Sequence, residues 1–303
     1  MDMKTVAISE SFGSMVYHES ETNVCNLDKE QIIKLFKSSG FLLIRGFDTD
    51  TEQFKKFTAS LSTEFMPYIG GAYNQREAIN GDKTVLSVTG ANLRYAVPLH
   101  GEMYYTKNKP SLLWFYCATP PLAGGETTVC DGIQVYQKLS DSTKELFHTK
   151  RLKYIRSYQK FMWQEIYKTD DLNIVKRICQ ENDTYLKVDE QDHSITTEFV
   201  TYAITESGKH KAFINNILPV IAQEYVQGLQ SSIVRFEDGL KIPDDVIFEL
   251  KEVTDKLTLP IAWQKGDILM IDNTRLLHGR KSFSDNQREI YVRMGHLANP
   301  AYN

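Results

Sequence analysis

The sequence predicts an α+β fold, mostly β: a β-sandwich or jelly roll carrying helices at its start and in an insertion. Three observations carry this reading. Short apolar runs closed by glycine or proline recur along the chain, helical periodicity concentrates before residue 62 and between about 131 and 182, and the stretch from Leu259 to His296 reads as strand after strand.

After a polar lead-in, Asn26-Leu27-Asp28 caps a helix with Ile32, Ile33, Leu35 and Phe36 on one face, ended by Gly40. Phe41 to Phe47 reads as a buried strand, and Thr51 to Leu61 as a second amphipathic helix. Residues 66–98 show no firm periodicity and are rich in Gly, Asn and Tyr, which marks them as a lid loop over a site. From Ser111 the pattern turns apolar and aromatic, then passes through Pro120-Pro121 and Gly124-Gly125 into Thr127-Thr128-Val129-Cys130. The segment of about 131–182 reads as a helical insertion, with helices over Gly132 to Leu139, Ser142 to Lys150 and Asp170 to Glu181 separated by short strand-like runs. Thr197 to Thr205 and Lys211 to Asn215 look like strands, and Pro243-Asp244-Asp245 opens a helix towards Lys256. The tail is β, with a Lys265-Gly266-Asp267 turn between Leu259 to Trp263 and Ile268 to Ile271, and a last strand over Glu289 to His296.

At 303 residues the length suits one large domain or two ordinary ones. A single domain over 1–303 is favoured, because the proposed metal ligands lie on both sides of the middle. Thirty-five Lys and Arg against 39 Asp and Glu, with no long run of either sign, argue against a nucleic-acid groove or an anionic membrane surface. Cys25, Cys117, Cys130 and Cys179 are scattered and read as reduced thiols. The N-terminus has no basic segment followed by an apolar core, and no stretch is long enough to span a bilayer, so a cytoplasmic location is expected. Oligomeric state is left open.

The chemistry concentrates in Val97-Pro98-Leu99-His100-Gly101-Glu102 and, far downstream, in Asp272-Asn273 to His278-Gly279-Arg280. Two imidazoles and a carboxylate on one face of a metal leave the opposite face open, the arrangement that non-haem Fe(II) oxygenases need for a co-substrate and O₂. In an extended segment, side chains two apart point the same way, so His100 and Glu102 can reach one ion while Gly101 removes bulk between them. His278 has to arrive from another strand.

With these residues in view, the chain resembles the taurine/2,4-D dioxygenase (TauD/TfdA) superfamily of Fe(II)/2-oxoglutarate-dependent oxygenases. Within it, the chain looks most like the branch containing syringomycin-type aspartyl hydroxylases and other oxygenases of non-ribosomal peptide pathways. The match runs from about Phe41 to Gly295 through the two motifs above, Phe115 to Pro120, Gly124-Gly125-Glu126-Thr127, Trp163-Gln164-Glu165 with Thr169-Asp170-Asp171, and Trp263 to Asp267. The first ligand motif of the superfamily is more often His-x-Asp. Glu102 is the longer acid and preserves the carboxylate.

The resemblance implies a double-stranded β-helix (jelly-roll) core, with His100, Glu102 and His278 as iron ligands and catalytic centre. It implies Thr127 and Arg288 as contacts of the distal carboxylate of 2-oxoglutarate, with O₂ as the second co-substrate. Many relatives carry Arg-x-x-x-Arg, whereas Arg288 and Arg293 are five apart. On a regular strand those two face opposite ways, unless a bulge turns both inward. That geometry leaves the choice open; the resemblance of the residues around it assigns Arg288 to the co-substrate, with Arg293 as reserve candidate or substrate-carboxylate contact. Asn74, Tyr104 and Tyr105 flank the expected mouth, as substrate contacts or as packing and loop residues. Trp114, Trp163 and Trp263 read as core anchors, and His193 and His296 as surface or hydrogen-bonded structural residues.

Three functions compete. The first is a hydroxylase, or a desaturase or cyclase, acting on an amino-acid-derived natural-product intermediate, free or tethered to a carrier protein. The second is a scavenging dioxygenase for a small sulfonate or carboxylate. The third is a non-catalytic jelly-roll protein that binds a metal through the same ligands.

Overall fold

The structure is a computed structural model that describes residues 3–18, 22–62, 64–68, 76–88, 94–227 and 231–298. Its largest sheet has nine strands. Eight run in the order Lys4–Ala7, Ser14–Tyr17, Phe41–Arg45, Ile268–Asp272, Leu112–Thr119, Glu289–His296, Asp82–Ser87 and Ala78–Ile79, and Glu64–Phe65 pairs beside Glu289–His296. All pairs are antiparallel except Ser14–Tyr17 with Phe41–Arg45. The continuous apolar run Phe41-Leu42-Leu43-Ile44 follows from burial on both faces. Leu42 and Ile44 pack with the N-terminal helices, while Phe41 and Leu43 face a second sheet.

Those helices are Lys29–Ser39, whose N-cap Asp28 accepts from Gln31 N, and Thr51–Leu61, closed by a reciprocal capping box between Asp50 and Gln53. Ile32, Phe36, Phe54, Phe57 and Leu61 form the buried stripe that covers one face of the large sheet. Full burial of each such side chain contributes roughly 1.5–3 kcal/mol.

The second sheet has four strands, in the order Leu259–Ile261, Thr127–Asp131, Leu276–Arg280 and Val97–His100. Its residues Val129, Ile261 and Leu276 join Leu113, Phe115, Leu269 and Ile290 of the large sheet in one core between the two. From its other face, Leu99, Cys130 and Leu277 pack against the helices Gly132–Lys138, Asp141–Thr149, Ile217–Gln227 and Asp244–Leu257. The same core takes in a further four-stranded sheet, ordered Tyr185–Val188, Ile195–Thr201, Leu152–Tyr158 and Ser232–Phe236. The fold is thus mixed α/β with mostly sheet content. Among the described residues, no helix is long and apolar enough to cross a membrane.

Two expectations need correction. Part of the supposedly irregular segment 66–98 is ordered sheet: Ala78–Ile79 and Asp82–Ser87 form a hairpin whose turn, Asn80-Gly81, has positive φ at both residues. Asn-Gly is the favoured dipeptide of such a turn, and this signal was present in the sequence. Residues 69–75 and 89–93 of that segment, Asn74 among them, lie outside the described residues. The insertion of about 131–182 holds the expected helices and strand-like run but does not end where expected. Besides its helices, which include Lys160–Tyr167 and Leu172–Glu181, it contributes Leu152–Tyr158, paired on both sides within the third sheet, so the unit continues past residue 182. The charged and polar residues Lys153, Arg156 and Ser157 obscure that strand's apolar face.

Candidate active site

The register of the second sheet brings the two histidines together. His278 lies directly opposite His100 on the neighbouring antiparallel strand, with ring centroids 4.3 Å apart. Glu102 arrives differently from the sequence expectation: the strand ends at His100, and Glu102 begins a turn in which Met103 takes φ +60°. Asn273, fully buried, clamps this turn. Its Oδ1 accepts from Glu102 N at 2.8 Å, and its Nδ2 donates to the carbonyls of Glu102 (3.1 Å) and Pro110 (2.7 Å). Gly101 is needed for packing as well, because a β-carbon there would overlap the Tyr104 ring and Ile214.

One ligand atom from each of His100, Glu102 and His278 lies within 4.8 Å of the others, and Glu102 Oε2 is 3.5 Å from His278 Nε2. Two ligands about 2 Å from a shared ion stand roughly 3 Å apart, so the set fits a metal with little adjustment. His100 Nδ1 is 2.9 Å from the Pro98 carbonyl, which fixes Nδ1 as the donor and leaves the Nε2 lone pair for a ligand. Burial, reinforced by His278, pushes the His100 imidazole down to about 4, so it is neutral at physiological pH, as a metal ligand must be. Burial alone would raise the Glu102 carboxyl, but the Arg76 guanidinium at 2.9 Å and the two histidines hold it well below the usual carboxylate range. Arg76, which stacks over the Tyr68 ring at 4.1 Å, carried no signal in the sequence.

These residues open on a cavity of about 520 Å³. Its wall to one side of the three candidate ligands is cationic. Thr127 pairs with Arg280 across adjacent strands, and Arg288 projects into the same space. Trp263 Nε1 donates to Thr127 Oγ1 at 3.2 Å, so the Trp263 indole anchors the core and also leaves the threonine hydroxyl proton for another acceptor. Arg288, 3% exposed, donates from Nε to the Gly125 carbonyl at 3.1 Å. Gly125 has φ +66°, and a β-carbon there would press on the Arg288 side chain. Both Arg280 and Arg288 lie over the Phe283 ring, at 5.0 and 5.4 Å. Burial and the neighbouring Arg280 push the Arg288 guanidinium down to about 9, the signature of a site that gains by receiving an anion.

Arg293 is elsewhere. A register shift does fall between Glu289 and Ile290, yet Arg293 projects to the helix side of the large sheet. There it donates to Thr58 Oγ1, Thr84 Oγ1 and the Lys55 carbonyl, and stacks over Phe65 at 3.6 Å. It is a structural residue and does not line the cavity, which corrects its assignment as a co-substrate or substrate contact. Tyr104 is likewise removed from the substrate set, because its ring is in the core and its hydroxyl donates to the Asn273 carbonyl at 2.8 Å. Tyr105 does line the cavity, beneath Arg156, whose guanidinium carbon is 3.4 Å from the ring centroid. Trp114 and Trp163 are buried in the core, and His193 and His296 hold structural contacts, through Trp163 Nε1 and Ser111 Oγ.

The chain matches the family described as taurine catabolism dioxygenase TauD, TfdA family over residues 10–294. It belongs to the TauD/TfdA family. Among its relatives are a clavaminate synthase-like protein of Arabidopsis thaliana, 25% identical over 285 residues (89% of this chain, 86% of the relative), and the dapdiamide synthesis protein DdaC of Enterobacter agglomerans, 24% identical over 292 residues (89% and 85%). The crystal structure of PvcB from Pseudomonas aeruginosa is similar with a TM-score of 0.65 at 17% identity, covering 98% of this chain and 94% of PvcB. PvcB is described as an Fe, alpha-ketoglutarate dependent oxygenase from an isonitrile synthetic pathway. As a TauD/TfdA enzyme the chain is a non-haem iron dioxygenase using Fe(II), 2-oxoglutarate and O₂.

Proposed function

We propose that this TauD/TfdA enzyme hydroxylates, desaturates or cyclises a small amino-acid-derived substrate of a natural-product pathway, on a double-stranded β-helix core formed by the two facing sheets. His100, Glu102 and His278 hold the metal, which when bound with 2-oxoglutarate and O₂ supplies the oxidant for an unactivated C–H bond. The observation that carries this reading is the adjacency of the three ligands to a cationic wall in one cavity. The planar fork of Arg288 answers the distal carboxylate of 2-oxoglutarate, Thr127 donates its hydroxyl proton to the same group, and Arg280 adds a second positive charge. His100 is held in its ligand tautomer by Pro98. Val97, Pro98, Phe115 and Val220 give the cavity apolar lining that excludes water around the reacting bond. The relatives that serve dapdiamide and isonitrile synthesis favour a biosynthetic over a scavenging role.

The test is a panel of amino acids and amino-acid derivatives, free and loaded on carrier protein, incubated with Fe(II), 2-oxoglutarate and O₂. Succinate formed in step with O₂ uptake and an oxidised product mass is the expected result. Succinate release that no candidate stimulates would count against the substrate class, and no succinate at all against the co-substrate assignment.

A further inference from the structure

A second polar wall of the cavity, formed by Arg156, Ser232 and Asn216, has no part in holding the metal or the co-substrate. Arg156 lies on the strand Leu152–Tyr158, and its partner directly across on Ser232–Phe236 is Ser232, so the two side chains stand together on one face. Tyr154, two residues before Arg156 and hence on that same face, accepts from Asn216 N at 2.8 Å and so fixes Asn216 beside them. All three residues line the cavity that contains His100, Glu102 and His278. Asn216 is 4% exposed, and its side-chain Oδ1 has no hydrogen-bond partner among the described residues. Such an orphaned acceptor costs stability unless a ligand or water donates to it. Arg156 is supported from below by the Tyr105 ring and bonded to the Tyr158 side chain, which together hold its planar guanidinium in place at the cavity wall.

We propose that this wall anchors the primary substrate and selects a free carboxylate adjacent to an N–H donor, as in an amino acid or an N-acylated amino acid. Arg156, with the Ser232 hydroxyl, takes the carboxylate, and the Asn216 Oδ1 accepts from the nitrogen. A substrate held as a carrier-protein thioester has no carboxylate to offer Arg156, so the free acid is the form turned over. The inference rests on the oxygenase reading above, because it treats the Arg288 end as taken by 2-oxoglutarate.

The experiment uses the full chain with Mn(II) and N-oxalylglycine, a 2-oxoglutarate mimic. Its thermal upshift in the wild-type protein tests the underlying reading, and no upshift would sink that reading rather than the anchor alone. To this complex are added the proteinogenic L-amino acids and their N-formyl derivatives, each paired with its methyl ester and with its analogue lacking the nitrogen. At least one free acid is expected to bind tenfold or more tightly than its ester and than its nitrogen-free analogue. In Arg156→Gln the acid-to-ester ratio should collapse towards one while Arg156→Lys keeps part of it, and in Asn216→Leu the ratio to the nitrogen-free analogue should collapse. Equal binding of acid and ester by the wild-type protein, a preference unchanged in Arg156→Gln, or no response to any acid overturns the proposal; the first and third need no variant to fold.

Discussion

Arg76 Nη2 stands 2.9 Å from Glu102 Oε2, and both side chains are less than a tenth exposed, so one of the three proposed metal ligands is paired with a buried guanidinium. Removing one partner of a buried pair strands the other charge, which costs about 3–5 kcal/mol. Arg76→Ala is therefore expected to lower the unfolding free energy of the metal-free protein by that order in urea. Saturating Mn(II) supplies Glu102 with another counter-charge and should narrow the gap to wild type. Equal stability of the two proteins without metal would show that the pair does not hold Glu102.

Asn273 touches no ligand side chain but fixes the turn that carries one. Asn273→Ala orphans the Glu102 amide and the Glu102 and Pro110 carbonyls, at about 1–3 kcal/mol for each group left buried and unpaired. Since outer partners of a metal site typically account for about 10–100-fold in affinity, metal binding should weaken on that scale. Calorimetric titration with Mn(II) checks this, and an unchanged affinity in a folded Asn273→Ala protein would contradict it.

Arg288 and Arg293 should separate cleanly. Arg288→Ala is expected to weaken 2-oxoglutarate binding by about 2–5 kcal/mol, the scale for loss of a buried charge partner. Arg293→Ala should leave the 2-oxoglutarate KM within about twofold while lowering stability, because its bonds to Thr58, Thr84 and the Lys55 carbonyl are structural. A strong rise in KM for Arg293→Ala with none for Arg288→Ala would reverse the assignment.

A pH dependence follows from the same residue. It is the charged guanidinium that meets the carboxylate, so the Arg288 contribution is complete at neutral pH and is lost as pH rises through about 9. The dissociation constant for 2-oxoglutarate should be flat from about pH 7 to 8 and climb above about 9. Arg288→Lys should alter that profile, whereas Arg293→Lys should not.

Much of the site was legible because its signals are local. The motifs around His100 and His278 name their chemistry, and the strand residues between them imply a shared sheet. Sequence could not show that these strands are direct neighbours with the two histidines in register, since pairing is a long-range property. Alternation does not explain Glu102, because a turn rather than a strand carries its side chain to the cavity, and the same turn decides that Tyr105 lines the cavity while Tyr104 does not. The same period-two rule correctly separated Arg288 from Arg293 as one of two readings, but only packing against Thr58 and Phe65 chose between them. Arg76, Arg156 and Asn216 lie in no recognisable motif and become neighbours of the metal ligands through folding alone.

The most direct test of the whole account is an anaerobic titration of Fe(II) and 2-oxoglutarate into the protein, followed by charge-transfer absorption. One equivalent of each should saturate the signal in the wild-type protein, and His100→Ala, Glu102→Ala and His278→Ala should each abolish it while remaining folded. A full-strength signal in His100→Ala or His278→Ala would place the iron elsewhere and contradict the account.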